Sequence, residues 1–99
     1  MAMAYDPGAI DATLAATVGD DPALIVELRM AFVSSAEKAL SAMDKAEDVD
    51  TWRTAAARLR GLAASFGAVR LMALAAGAVD GRPGDQQTMA KLRRAVARL

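Results

Sequence analysis

The stretch AARLRGLAASFGAVRL, Ala56 to Leu71, decides how this chain is read. Its apolar residues Ala56, Leu59, Leu62, Ala63 and Phe66 recur at intervals of three and four, which stacks them on one face of an α-helix. Upstream, Trp52 and Ala55 continue that face and Asp48 is an N-cap candidate, so the spacing predicts a helix from Val49 to about Phe66. Gly67 closes it at the position where a left-handed residue without a Cβ is favoured. Ala68 to Val79 reads as the next helix, stopped by Asp80-Gly81-Arg82-Pro83-Gly84.

The same punctuation organises the rest. Asp6 followed by Pro7 opens a short helix ending near Gly19. Asp21 and Pro22 open a long one that meets no breaker until Asp48, giving a span of Pro22 to about Glu47. Its stripe Leu24, Leu28, Ala31, Phe32, Ala39 and Met43 is expected to be buried. A last helix from about Asp85 to Leu99 places Met89, Leu92, Ala95, Val96 and Leu99 inward, with Lys91, Arg93, Arg94 and Arg98 outward. Four longer helices on short loops predict one all-α domain over residues 1–99, an antiparallel four-helix bundle with a short extra N-terminal helix.

Composition agrees. Hydrophobic residues make up 55% of the 99-residue chain, Ala and Leu dominate, and no strand-like alternation competes. The absence of cysteine removes disulfides and thiolate chemistry and suits a reducing cytoplasm, the expected location. The most apolar stretch, Gly61 to Val79, is cut by Arg70 into runs too short to span a bilayer, and MAMAYDPG lacks the pattern of a secretory signal. No membrane association, metal or cofactor is expected. The net charge of zero hides a split: residues 1–50 carry ten acids against three bases, and residues 51–99 carry nine bases against two acids. Either the early helices pack beside the later ones and their fields compensate, or the second half offers a basic surface to an acidic partner.

On the Val49–Phe66 helix, position 57 lies about 200° around from the core residue Leu59 and faces solvent. Its neighbours at three, four and seven residues are Arg53, Thr54, Arg60, Gly61 and Ala64, with Arg58 adjoining. The pattern A-x-L-x-G from Ala57 to Gly61, the spacing to Gly67-Ala68 and Leu71, the upstream VGDDP and the long helix with a central Phe32 together resemble the histidine phosphotransfer (HPt) family. Arg60 stands where the family usually has lysine, and Ala57 stands where it has the phosphoacceptor histidine. The resemblance covers nearly the whole chain. It implies a phosphorelay protein that docks a response-regulator receiver domain, and possibly a histidine kinase, through Arg53, Thr54, Ala57, Arg58, Arg60, Gly61 and Ala64. In that family an exposed imidazole attacks a phospho-aspartate, a nearby cation steadies the transferring oxygens, and the glycine admits the partner's backbone.

The departure decides the chemistry. The chain has no histidine at all, alanine has no nucleophilic atom, and Thr54 and Ser65 are hydroxyls without a general base. The expectation is a non-enzymatic, monomeric binding protein: a natural pseudo-HPt, or a His→Ala variant of an active one. Gly61 has a second reading as a close helix–helix contact, and the arginines one as a solvated surface. A structural or adaptor bundle without a relay role is the rival, and it predicts an exposed apolar stripe. Nucleic-acid binding through the last helix is not expected, because its arginines lack interleaved aromatics and the acidic first half cancels the field.

Overall fold

The computed structural model describes residues 21–99 together with Ala12, Leu14, Ala16 and Gly19. Over residues 21–99 it forms four helices: α1 (Pro22–Lys45), α2 (Val49–Ser65), α3 (Val69–Ala78) and α4 (Gln86–Ala97). No strand occurs among the described residues. The fold is all-helical and compatible with a helical bundle.

Three of the four helix starts are aspartate caps. The Asp21 carboxylate accepts the amides of Ala23 and Leu24 at 3.1 and 3.2 Å, with Pro22 in the first turn. Asp48 accepts the Thr51 amide at 2.7 Å and the Thr51 hydroxyl at 2.9 Å. Asp85 accepts the same two groups of Thr88 at 3.2 and 2.7 Å. Each cap satisfies amide donors that a helix leaves open at its N-terminus. The start of α3 has no side-chain cap and depends on the turn before it. There Gly67 takes φ +72°, its amide donates to Ala64, and the Ala68 amide donates to Ala63 at 2.9 Å. Those two bonds are the paired closure that a left-handed glycine permits at a helix end. The sequence-based spans thus shorten by one or two residues, and Asp85 caps α4 without belonging to it.

The expected start at Asp6 and Pro7 lies outside the described residues. Ala12, Leu14 and Ala16 are helical, with Leu14 only 2% exposed in the core, and Gly19 takes φ +76°.

Each helix packs on two others: α1 on α2 and α4, and α3 on α2 and α4. The side chains of Phe32, Met43, Trp52, Leu59, Leu71, Met89 and Leu92 are fully enclosed, separated by alanines that let the helices approach closely. No polar or charged side chain is buried among the described residues. Phe32 of α1 stacks on Phe66 at the end of α2, with ring centroids 4.5 Å apart. Trp52, in the first turn of α2, donates its indole N–H to the Ala78 carbonyl at the end of α3, 2.7 Å away. The same carbonyl accepts the Gly81 amide at 2.9 Å. A Cβ on Gly81 would stand 3.1 Å from that oxygen and 3.4 Å from the indole nitrogen, so the loop closes over the tryptophan because residue 81 has no side chain.

The buried stripe of α1 differs from expectation. Phe32, Ala39 and Met43 are buried and Leu28 is partly so, but Ala36 and Leu40 join them while Leu24 and Ala31 are exposed. The residues after Phe32 run beside α2, where Ala39 and Ala42 share a groove with Thr51 and Ala55. Leu24, about 12 Å before Phe32 along the helix, therefore sits past the end of α2. Ala31 is about 100° off the core direction. Leu40 is covered because α4 lies on its side, with Val96 and Ala97 across a shared cleft. Leu62, Phe66 and Leu99, expected inside, are half-buried.

Part of the charge split is absorbed within the fold, since α1 packs on α4 and Arg93 pairs with Asp44 at 3.2 Å. Both side chains are about half exposed, so the contact contributes little. No helix among the described residues is long and apolar enough to cross a membrane.

Candidate functional site

The α2 helix is held at its first turn and along one side, and that arrangement aims its other side outward. Asp48 fixes the first turn, Trp52 ties it to α3, and Ala55, Ala56, Leu59 and Ala63 bury the inner face. A turn of 100° per residue then leaves Ala57, Gly61 and Ala64 in the middle of the outer face. The structure exposes all seven residues singled out from the sequence: Arg53, Thr54, Ala57, Arg58, Arg60, Gly61 and Ala64. They form one continuous surface on a single helix.

The centre of this surface is low. Ala57, Gly61 and Ala64 carry nothing beyond a Cβ, so the helix backbone itself is within reach of an approaching molecule. The arginines flank it: Arg58 on the edge towards α1, where it lines a groove, and Arg53 and Arg60 on the opposite edge by helix geometry. None of the three is ion-paired with a described residue.

One of the two readings of Gly61 from the sequence is removed. A Cβ built there meets nothing within 4 Å and the residue is exposed, so Gly61 is not a helix–helix contact. Glycine inside a helix costs about 1 kcal/mol relative to alanine, and the fold gains no packing in return. The Ser65 hydroxyl donates to the Gly61 carbonyl at 3.0 Å, so it is engaged along the helix and not aimed at position 57.

Beside this face lies a groove of about 340 Å³ between α1 and α2, floored by Ala39, Ala42 and Ala55 and walled by Asp50, Thr51, Thr54 and Arg58. Sequence reasoning missed Asp50 and the α1 alanines. Asp50 was legible as the residue seven before Ala57 on the same face. The contribution of α1 was not, because it depends on how two helices pack.

At the start of α2 the Asp48 carboxyl is held below the usual carboxylate range, first by the Thr51 amide and then by the Thr51 hydroxyl. It is committed to capping. No cluster of three or more metal-ligating side chains occurs among the described residues. The surface presents two chemical capabilities: guanidinium groups that bind anionic oxygens, and a shallow apolar strip that accepts a flat partner. At position 57 it presents no nucleophilic atom. Compared with known protein families, curated proteins and solved structures, the chain finds no match.

Proposed function

We propose that this chain is an HPt-like docking protein of a phosphorelay, whose α2 surface binds a response-regulator receiver domain and whose Ala57 prevents it from carrying phosphate. The observation that carries the reading is Gly61: an exposed mid-helix glycine with open space around it, beside Ala57 and between arginines. A fold that stood alone would gain helix stability from any residue there other than proline, whereas a partner seated against the backbone needs the gap. The finer architecture in this reading is an antiparallel four-helix bundle. Contacts support it: Phe32 meets the end of α2, Trp52 in the first turn of α2 meets the end of α3, and Arg29 and Asp44 of α1 meet Leu99 and Arg93 in reverse order.

In an active relay protein of this kind, a histidine nitrogen at position 57 attacks the phosphorus of a phospho-aspartate and the carboxylate leaves. Arg60 and Arg53 would stabilise the equatorial oxygens. With alanine, docking remains and transfer does not, so the protein occupies the receiver without discharging it. The test is phosphotransfer from a labelled receiver to the Ala57→His variant, with the parent chain as control. Label on the variant alone supports the reading; a variant that stays unlabelled across the receivers of the source organism counts against it.

A second reading has one observation in its favour. Val26 and Met30 stand one turn apart on α1 and are 55% and 66% exposed, an apolar patch suited to an adaptor or self-associating bundle. Light scattering separates the two: a mass that doubles with concentration, and is restored to monomer by Met30→Glu, favours the adaptor.

A further inference from the structure

The α1–α2 groove is lined by one charge of each sign. Among the described residues that line it, Asp50 alone is anionic and Arg58 alone is cationic. Both are exposed, and neither is ion-paired with a described residue. They are eight residues apart on α2, about 12 Å along the axis, so they stand as separate charges at opposite ends. Thr54 lies midway, one turn from each. The Thr51 hydroxyl is engaged by Asp48, whereas that of Thr54 bonds no described residue.

The space between these charges comes from small residues. Ala39 of α1 and Ala55 of α2 are buried and close the bottom, and Ala42 is exposed above them. With Ala42, the accessible apolar lining is supplied by the threonine walls and the stem of Arg58. The surroundings keep the two ends unlike. Ala42 is near the carbonyl end of α1, which is electronegative, and the short link over residues 46–48 brings that end beside Asp50. Lys45 belongs to the same turn of α1 but does not line the groove. The amide end of α2 at this place is closed by Asp48, which accepts the Thr51 amide at 2.7 Å.

We infer that the α1–α2 groove binds a small linear zwitterion, with a primary ammonium at one end, a carboxylate at the other and an unbranched hydrocarbon linker between. The ammonium meets the Asp50 carboxylate. The carboxylate meets the Arg58 guanidinium, whose fork matches it, with the Thr54 hydroxyl one turn away as a further donor. The linker lies along Ala42 and the threonine walls. A volume of about 340 Å³ is at the small end for sites of small molecules. The pair of unlike charges decides the ligand's class. A fatty acid leaves Asp50 unmatched beside its chain, a diamine sets an ammonium against Arg58, and a nucleic-acid phosphate is repelled by Asp50. The inference does not rest on the docking reading. Where both hold, a seated ligand engages Arg58 and Thr54 and competes with the receiver.

The test titrates the ¹⁵N-labelled protein with 6-aminohexanoate and 8-aminooctanoate, and with octanoate and octylamine as single-charge comparisons. The inference expects saturable amide shifts at Asp50, Thr54 and Arg58 and, across the groove, at Ala42, in the millimolar range usual for so small a ligand. The better zwitterion should bind about threefold or more tightly than either single-charge compound. Asp50→Asn should reduce it to the affinity of octanoate and Arg58→Gln to that of octylamine, each with an unchanged far-UV circular dichroism spectrum. Ala42→Leu, which fills the groove from an exposed position, should weaken binding as well. No saturation, equal binding of a single-charge compound, a footprint centred elsewhere, or undiminished binding in both charge variants overturns it.

Discussion

Replacing Trp52 with phenylalanine tests whether the contact between α2 and the α3–α4 loop is an anchor of the fold. The indole is fully buried and donates at 2.7 Å to Ala78, so the substitution loses one buried hydrogen bond, about 1 kcal/mol. The Ala78 carbonyl keeps the Gly81 amide at 2.9 Å, which holds this term near the mean and not at the cost of an orphaned group. The smaller ring leaves roughly 40 Å³ unfilled, and at about 24 cal/mol per Å³ that adds about 1 kcal/mol. The sum, about 2 kcal/mol, is a substantial part of the total for a domain of this size and lowers the melting temperature by about 10 °C. Urea unfolding followed by far-UV circular dichroism reads it. A second arm sharpens the result: Gly81→Ala forces a Cβ to 3.4 Å from the indole nitrogen, and that part of its cost vanishes once the indole is gone. The double variant should therefore be more stable than additivity predicts, by about 0.5 kcal/mol or more. A Trp52→Phe protein within about 0.5 kcal/mol of the parent, or strict additivity, refutes the reasoning.

On the proposed docking face, Gly61→Arg should leave the fold unchanged or raise its stability by about 0.5 kcal/mol through helix propensity, while abolishing the proposed receiver binding measured by calorimetry. Arg60→Glu should also abolish binding, with an unaltered unfolding midpoint; retained affinity in both variants moves the docking surface off α2. Acid should weaken the starts of α2 and α4. The Asp85 carboxyl is held low chiefly by the Thr88 hydroxyl, as Asp48 is by the Thr51 amide. Because both folded-state pKa values lie below the ordinary 3.8, their stabilisation is complete above that pH and is lost as the pH falls through the lowered values. Asp48→Asn and Asp85→Asn should each flatten the loss of stability between about pH 4 and pH 2, and an undiminished slope would assign that loss to other groups.

The helix starts were readable because their signal is local: an aspartate followed by Pro22, or three residues before Thr51 or Thr88, acts on amides within its own turn. The end of α2 at Gly67 was readable for the same reason. The outer face of α2 was legible too, because seven residues on one helix are ordered by periodicity alone, and the structure keeps all of them exposed. What escaped depends on neighbours. Leu24 and Leu40 lie equally far from Phe32 in sequence, yet only Leu40 has a helix to cover it. The indole contact to Ala78 and the bare loop position at Gly81 join residues 26 and 29 apart from Trp52, and no spacing rule announces them.

The placement of Trp52 has an optical consequence. It is the chain's one tryptophan, and it is sealed beneath the α3–α4 loop with its N–H committed to a carbonyl. Its emission should be blue-shifted and insensitive to collisional quenchers in the native state. A molecule seated over Ala57 and Gly61 covers the opposite side of α2 and leaves the indole's surroundings unaltered, so intrinsic fluorescence is silent to docking there. Opening of the Gly81 loop, by contrast, would admit water to the ring and redden the spectrum before the helices separate.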